Sequence, residues 1–341
     1  MPAPCPAVWF PTIRAHTGTD VFTERLAEGL EKRGIRTAIN WLPLRSEYAP
    51  WTVAIPPPPA WATLAHINTC MHTRFLPKHL PVVATLHHSV HAPALHGHKP
   101  LAQTLYHRHW IAPNERRVLR HANCVTAVSQ FVADTAQQVL LNVPIRVIHN
   151  GVDTGLFVPG TNQRGTGRPF KLLYVGSWIA RKGVDLLAPI MRELGNSFEL
   201  FYTGGPTAIA YKPHMPQNMH DIGRLQGDKA VVAAMQDADA LLLPSRSEGF
   251  GLVAAEAMAC GLPVIATDCS SIAEIVEDGM TGLLCPKDDI PAFVAAVREL
   301  AMDATLRARL VSAGRHRAIS CFSSEAMLDK YVQAYLSCHA Q

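Results

Sequence analysis

Several things are scarce in this 341-residue chain, and each scarcity narrows the field. Charged residues make up 17% and aromatics 7%, against 48% apolar residues, so the chain builds a core and is not intrinsically disordered. No uninterrupted apolar run approaches the roughly 18–20 residues that span a bilayer. The opening MPAPCPAVWF has no basic segment and no small-residue cleavage site, and it does not read as a signal peptide. Paired cysteines are missing too. Eight occur, at 5, 70, 124, 260, 269, 285, 321 and 338, none closer than nine residues to the next. That spacing speaks against C-x-x-C zinc modules and for reduced, mostly buried thiols rather than a disulfide framework. No G-x-G-x-x-G follows the first apolar run, where IRAHTGTD stands, which argues against a nicotinamide dehydrogenase. No basic aromatic sheet or repeat is visible, so nucleic-acid binding is not expected.

What is present is uneven. The length suits two domains of about 170 residues. Residues 1–150 hold 14 Lys and Arg against 7 Asp and Glu, a net of +7, while the remainder holds 17 against 20, a net of −3. Thirteen of the 17 histidines also fall in the first 150 residues. Five of them, His87, His88, His91, His96 and His98, crowd into HHSVHAPALHGH. Zinc accepts imidazole at helical spacing, but Pro93 and Gly97 break a helix there and no acid or thiol completes the set. A polar, substrate-facing loop or solvated imidazoles is the expectation.

Apolar, β-rich runs alternate with helical stretches throughout. Strands are expected at 7–13, 35–42, 63–68, 81–88, 124–129 and 145–150, with a helix over 21–34. The second half repeats this more cleanly, with strands at 171–177, 198–205, 219–224, 240–245 and 263–268 and helices at 184–194 and 228–239. PGTNQRGTGRP (159–169) has the composition of a linker. The pattern implies two doubly wound α/β domains with parallel sheets, whose ligands bind beyond the carboxyl ends of the strands.

The most informative stretch is LLLPSRSEGFGLVAAEAMACGLPVIATD (241–268). A strand ends near Ser245, and SEGFG turns the chain into a helix. Gly249 and Gly251 let the backbone come close to a ligand, and the amides near Phe250, Gly251 and Leu252 open a helix that favours an anion. Glu256 is out of place among alanines, since a buried carboxylate without partners is costly. Ribose hydroxyls would satisfy it; so would a salt bridge or exposure to water. Glu248 stands at the mouth of the same turn, where a negative charge also suits a helix N-terminus.

Glu248 and Glu256 in EGFGLVAAE, with PS before and MACGLPVIAT after, resemble the signature of family 4 retaining glycosyltransferases. NGVDTGLFVP (150–159), YVGSWIARKGVDLL (174–187), TAVS (126–129) with its preceding RRVLRHAN, and FSSEAMLDKYVQAY (322–335) are similar to that family in order and spacing. The resemblance implies the GT-B fold, two Rossmann-like domains facing a central cleft. It divides the chain into an acceptor domain (1–155), a donor domain (156–321) and a C-terminal helix (322–341) returning to the first domain.

By the same resemblance, Glu256 binds ribose and Glu248 orients the donor sugar, with the amides of Gly249, Phe250, Gly251 and Leu252 on sugar and diphosphate. Lys182 pairs with the diphosphate. Ser177 stands where the family usually has a second phosphate-binding arginine; Arg181 is the obvious substitute and Arg224 the other. Gly18, in HTGTD, matches a glycine that approaches the diphosphate, and His87 matches a histidine near the reacting centre. The implied activity is hexosyl transfer with retention from a UDP- or GDP-sugar to a glycan or lipid-linked acceptor, in surface polysaccharide or lipopolysaccharide synthesis. No metal and no cofactor beyond the donor is expected. The setting would be cytoplasmic, with the basic first half against an anionic membrane surface. A same-fold epimerase and a non-catalytic nucleotide-sugar binding module are the alternatives.

Overall fold

The computed structural model describes residues 5–15, 17–88, 90–91, 101–160 and 167–339. The chain forms two compact units, Met1–Gly151 with Ser324–Gln341, and Val152–Ser323. The junctions fall a few residues from those expected at 155 and 321. Val152 bridges to Ser323, and its N–H donates to the Phe322 carbonyl at 2.8 Å, so the second unit closes on both of its own ends. Gly151 stands immediately before this closure. A Cβ there would lie 2.5 Å from the Ser324 Cα, so only glycine lets the two passing segments touch.

The first unit is a six-stranded sheet, every pairing parallel, in the order β2-β1-β3-β4-β5-β6. The strands are β1 (Val8–Ile13), β2 (Thr37–Leu42), β3 (Leu64–Asn68), β4 (Val82–Leu86), β5 (Cys124–Ala127) and β6 (Arg146–Val147). All six residues of β1 are buried, as befits a strand covered on both faces. Pro11 has no N–H to give and would argue against a central position. The ladder from β1 to β3 covers Val8 and Trp9 and stops short of it. The helix Gly18–Lys32 lays Phe22, Leu26 and Leu30 onto this sheet, and the C-terminal helix Ser324–His339 adds Tyr331 and Tyr335 to the same core.

The second unit repeats the topology in the order β12-β11-β10-β7-β8-β9, again all parallel. Its strands are β7 (Phe170–Tyr174), β8 (Phe198–Tyr202), β9 (Met219–Asp221), β10 (Ala240–Leu243), β11 (Val264–Thr267) and β12 (Leu283–Cys285). Leu172, Tyr174, Leu187, Ile190, Leu242 and Phe293 anchor its core. The strand order reverses between β7 and β10, and the crevice outside their carboxyl ends is where a doubly wound sheet holds its ligand.

Under the first sheet lies a buried polar chain. His66 Nδ1 is 2.8 Å from the Tyr335 hydroxyl and its Nε2 is 2.6 Å from Thr85 Oγ1, which in turn meets Thr126 Oγ1 at 2.6 Å. Burial, assisted by nearby His87, pushes His66 down to about 3. The folded protein therefore holds a neutral imidazole that the unfolded chain would protonate near pH 6.5. Because the unfolded state binds the extra proton, stability is full above pH 6.5 and declines as pH falls from there toward 3. Thermal unfolding across that range should show a steady loss in the wild type and a shallower one in His66→Gln. Parallel profiles would contradict this assignment.

Candidate functional site

Two turns meet at the β7–β10 crevice. After β7 the chain makes a short 3-10 turn, Ala180–Lys182, and enters the helix Val184–Leu194 through Gly183. Gly183 has φ +68°, and a Cβ there would come within 1.9 Å of the Pro244 carbonyl oxygen. The second turn runs from Pro244 to Gly251 and opens the helix Leu252–Ala259. Gly251, at φ +88°, sits in the left-handed region, and a Cβ there would also press on the Ile272 Cδ1 methyl at 2.5 Å. Both glycines are thus demanded by conformation, and Gly183 by backbone contact as well.

Lys182 grips the Glu248 carboxylate through both oxygens, at 2.6 and 2.7 Å. Arg181 donates to the Ser247 carbonyl at 2.7 Å and stands 3.9 Å from Glu248 Oε2. Burial alone would raise the Glu248 carboxyl, but the Lys182 ammonium and Arg181 guanidinium outweigh it and hold the group below the usual carboxylate range. The Glu248 main chain is clamped as well. Its N–H donates to Ser270 Oγ at 2.9 Å, and its carbonyl accepts from Ser271 Oγ at 3.1 Å. Ser270 adopts φ +50° to make this contact.

Arg246 has no counterpart in the expectations from sequence, yet it ties the two turns together. Its guanidinium donates twice to Asp185 at 2.7 Å, once to Asp288 at 2.6 Å and once to the Ala180 carbonyl at 2.6 Å. Its own N–H donates to the Arg181 carbonyl. The hydrogen bonds to Asp185, set against partial burial, raise its pKa further. In the sequence it reads as one arginine in a polar Ser-Arg-Ser run, and its partners lie 61 and 42 residues away.

The structure therefore brings Arg181, Lys182, Glu248 and the turn through Gly249, Phe250, Gly251 and Leu252 to one crevice. Glu256 is buried in the second turn of the helix that follows. Ser247 Oγ, in the Pro244–Gly251 turn before that helix, is buried and has no hydrogen-bond partner among the described residues. Arg181, and not Arg224, stands beside Glu248; Arg224 is exposed after the edge strand β9, with β8 between it and β7. The sequence also has one Asp-x-Asp spacing, Asp237 and Asp239. These side chains pair with Lys171 and Arg168 at the amino ends of β7 and β10, opposite the end that bears Glu248.

Gly18 and His87 belong to the first unit. Gly18 opens the helix after β1, exposed, and a Cβ there would meet nothing within 4 Å. His87 follows β4, with its Nε2 2.8 Å from Asn68 Oδ1 and its ring edge-on to Phe22. Asn68 Nδ2 donates to Thr12 Oγ1, so its Oδ1 accepts from His87. Burial pushes His87 down to about 3, which makes it a neutral hydrogen-bonding group at pH 7 and not a cation. His91 pairs instead with Glu115, and His96 and His98 lie outside the described residues. Among the described residues no group of three or more His, Cys, Asp or Glu is placed to hold a metal ion.

Known proteins agree with this architecture. Residues 53–156 match the family described as Glycosyltransferase Family 4, and residues 169–303 match Glycosyl transferases group 1. An uncharacterized glycosyltransferase of Methanocaldococcus jannaschii is 34% identical over 195 residues, covering 56% of this chain and 53% of that one. The chain spans about half the length of the curated relatives it matches. Sucrose-phosphate synthase from Thermosynechococcus elongatus superposes with a TM-score of 0.76 at 21% identity, over 97% of this chain and 99% of that chain. Anabaena HepE, solved in complex with UDP-glucose, superposes with a TM-score of 0.72 at 18% identity, over 96% and 99%. The fold is GT-B.

The two glycines offer a paired test. Gly183→Ala forces a Cβ against a carbonyl at an unfavourable φ and should cost about 2–4 kcal/mol, read as a fall in Tm of roughly 5 °C or more. Gly18→Ala meets open space and should leave Tm within about 1 °C. Equal effects of the two would contradict the close approach of the turns.

Proposed function

The chain belongs to the family 4 glycosyltransferases, and on that premise we propose that it transfers a hexose, with retention, from a UDP- or GDP-sugar to a glycan or lipid-linked acceptor. The observation behind this reading is the buried Glu248 carboxylate gripped by Lys182 at the crevice where the strand order reverses. A cation held beside a helix N-terminus suits a diphosphate. A carboxylate kept ionised suits sugar hydroxyls.

In this scheme the donor diphosphate lies against Lys182, Arg181 and the amides of 249–252, and Glu256 accepts from the two ribose hydroxyls. As the bond from the anomeric carbon to the phosphate oxygen breaks, negative charge builds on the diphosphate while the sugar becomes cationic. Fixed donors aimed at that growing charge lower the barrier most effectively. The acceptor oxygen forms its bond on the same face of the sugar, and its proton passes to the departing phosphate oxygen, so no separate protein base and no metal is invoked. Glu248 orients the sugar and, by its negative charge, favours the cationic carbon. UDP is the first candidate, since HepE was solved with UDP-glucose.

A peripheral place at the inner face of a membrane belongs to the same proposal. Residues 1–150 carry the net charge of +7, and Leu44, Tyr48, Trp51 and Leu101 of that unit are half or more exposed. Exposed aromatic and aliphatic groups on a basic surface suit an anionic interface. Among the described residues no helix is long and apolar enough to cross a bilayer. Synthesis of surface polysaccharide or lipopolysaccharide fits such a place.

The donor is found by thermal shift with UDP-, GDP- and ADP-sugars. At a hundredfold excess over Kd, the right one should stabilise the protein by about 2.7 kcal/mol. Glu256→Ala should then weaken that nucleotide at least tenfold by calorimetry, and unchanged affinity would remove the ribose role. Vesicle co-sedimentation should show binding to anionic but not neutral lipid, lost in high salt and reduced by Trp51→Ala. Indifference to lipid charge would exclude the membrane placement.

A further inference from the structure

All eight cysteines are free thiols, and two of them meet. Cys124 opens β5, and Cys338 lies in the last turn of the C-terminal helix. The Cys338 thiol donates a hydrogen bond to the Cys124 sulfur. The packing explains the encounter. Side chains alternate along a strand, so Cys124 and Thr126 stand on the same face of β5. That face is the one the helix covers, because the Tyr331 hydroxyl hydrogen-bonds to Thr126 and lies 3.4 Å from Thr85 Oγ1. Residues seven apart share a helix face, and Tyr331 and Cys338 are both buried in the core of this unit. Two turns along the helix from Tyr331, and two residues back along β5 from Thr126, the two sulfurs face each other.

The pair is unlike the other buried thiols. Burial pushes Cys70, Cys260 and Cys285 up to about 12 and Cys269 up to about 11, which keeps them protonated and inert at neutral pH. Cys124 goes the other way, down to about 7. The Cys338 thiol donates to it, and the Arg146 guanidinium on the neighbouring strand β6 adds positive charge, which together outweigh burial. Cys338 is 4% exposed, and its hydrogen bond to Cys124 and its burial hold it protonated. The helix C-terminus that carries it also disfavours a second negative charge. One half-buried sulfur is thus poised as a nucleophile, with a protonated thiol directly behind it.

We propose that Cys124 and Cys338 are a redox modification site, which a small-molecule disulfide oxidises to a bond that staples the C-terminal helix to the first sheet. The Cys124 thiolate attacks one sulfur of the small disulfide and joins it, while the other sulfur leaves as a thiolate. The Cys338 thiol passes its proton to that departing thiolate, and its own sulfur then attacks Cys124 and displaces the second small thiol. Two protein thiols are oxidised, and one small disulfide is reduced to two thiols. An excess of small thiol runs the exchange backward, so the site follows the thiol–disulfide poise around it. The bond closes the second unit, Val152–Ser323, into a covalent loop and ties down the helix that returns from it. It is independent of the proposed sugar transfer.

The test treats the full chain with oxidised glutathione and maps its peptides by mass spectrometry without reduction. A peptide cross-linked through Cys124 and Cys338 is expected, with a rise in Tm of roughly 5 °C or more that dithiothreitol reverses. Cys338→Ala should leave glutathione bound to Cys124 with no cross-link, and Cys124→Ala should leave Cys338 unmodified. The exposed Cys5 and Cys321 are the control for the reagent. Glutathione on those two without a cross-link between Cys124 and Cys338 overturns the proposal, and so does an adduct on Cys338 in Cys124→Ala. The wild-type map decides the cross-link even where neither variant folds.

Discussion

A carboxylate taken out of water must be matched by a cation, and in the second unit that requirement governs the whole carboxyl edge of the sheet. Glu248 is buried and is matched by Lys182. Removing one member of such a pair typically costs about 3–5 kcal/mol, because the other is left buried and uncompensated. The surrounding residues serve to keep the pair in register. Gly183 lets the lysine turn touch the Pro244 carbonyl, Arg246 binds the same turn through Ala180 and Asp185, and Ser270 and Ser271 fix the Glu248 main chain from the side of β11. The result is a charge pair set on two strand ends and a helix start, with both turns held by further hydrogen bonds.

The histidine-rich first unit meets the same constraint differently. His66 and His87 are kept neutral by burial and answered by hydroxyls and an amide, whereas His91 is answered by the buried Glu115 carboxylate. Within one short sequence cluster, His87 and His91 therefore have different partners, an amide and a carboxylate. The acidic-leaning second half, with its net charge of −3, nonetheless gathers Arg181, Lys182 and Arg246 on the two turns around Glu248.

Much of this was readable from the chain. β7, β8 and β10 are short, largely apolar runs followed within two residues by Gly or Pro, β11 is an apolar run followed by Asp268, and the helix Val184–Leu194 has its apolar period and Gly183 at its start. Local signals of that kind survive folding because the sheet buries both faces. Pairing across distance was not readable. Lys182 and Glu248 are 66 residues apart, and nothing in RKG or SEGFG states that they grip each other. Arg246 was invisible for the same reason, as its meaning lies in Asp185 and Asp288. The π-helical segment His107–Ile111, inserted between two α-helical stretches, was not marked in the sequence either. That Arg181 rather than Arg224 stands beside Glu248 was not readable either, since it depends on strand order, which sets β7 next to β10 and leaves β9 at the edge.

The central claim is that Lys182, released from Glu248 or shared with it, holds the donor's diphosphate. Calorimetric titration of the matching nucleoside diphosphate and monophosphate into the wild type and Lys182→Met tests it most directly. The account predicts a loss of at least tenfold, about 1.4 kcal/mol, for the diphosphate and much less for the monophosphate, in a variant that remains folded. Equal affinity of wild type and variant for the diphosphate would contradict it.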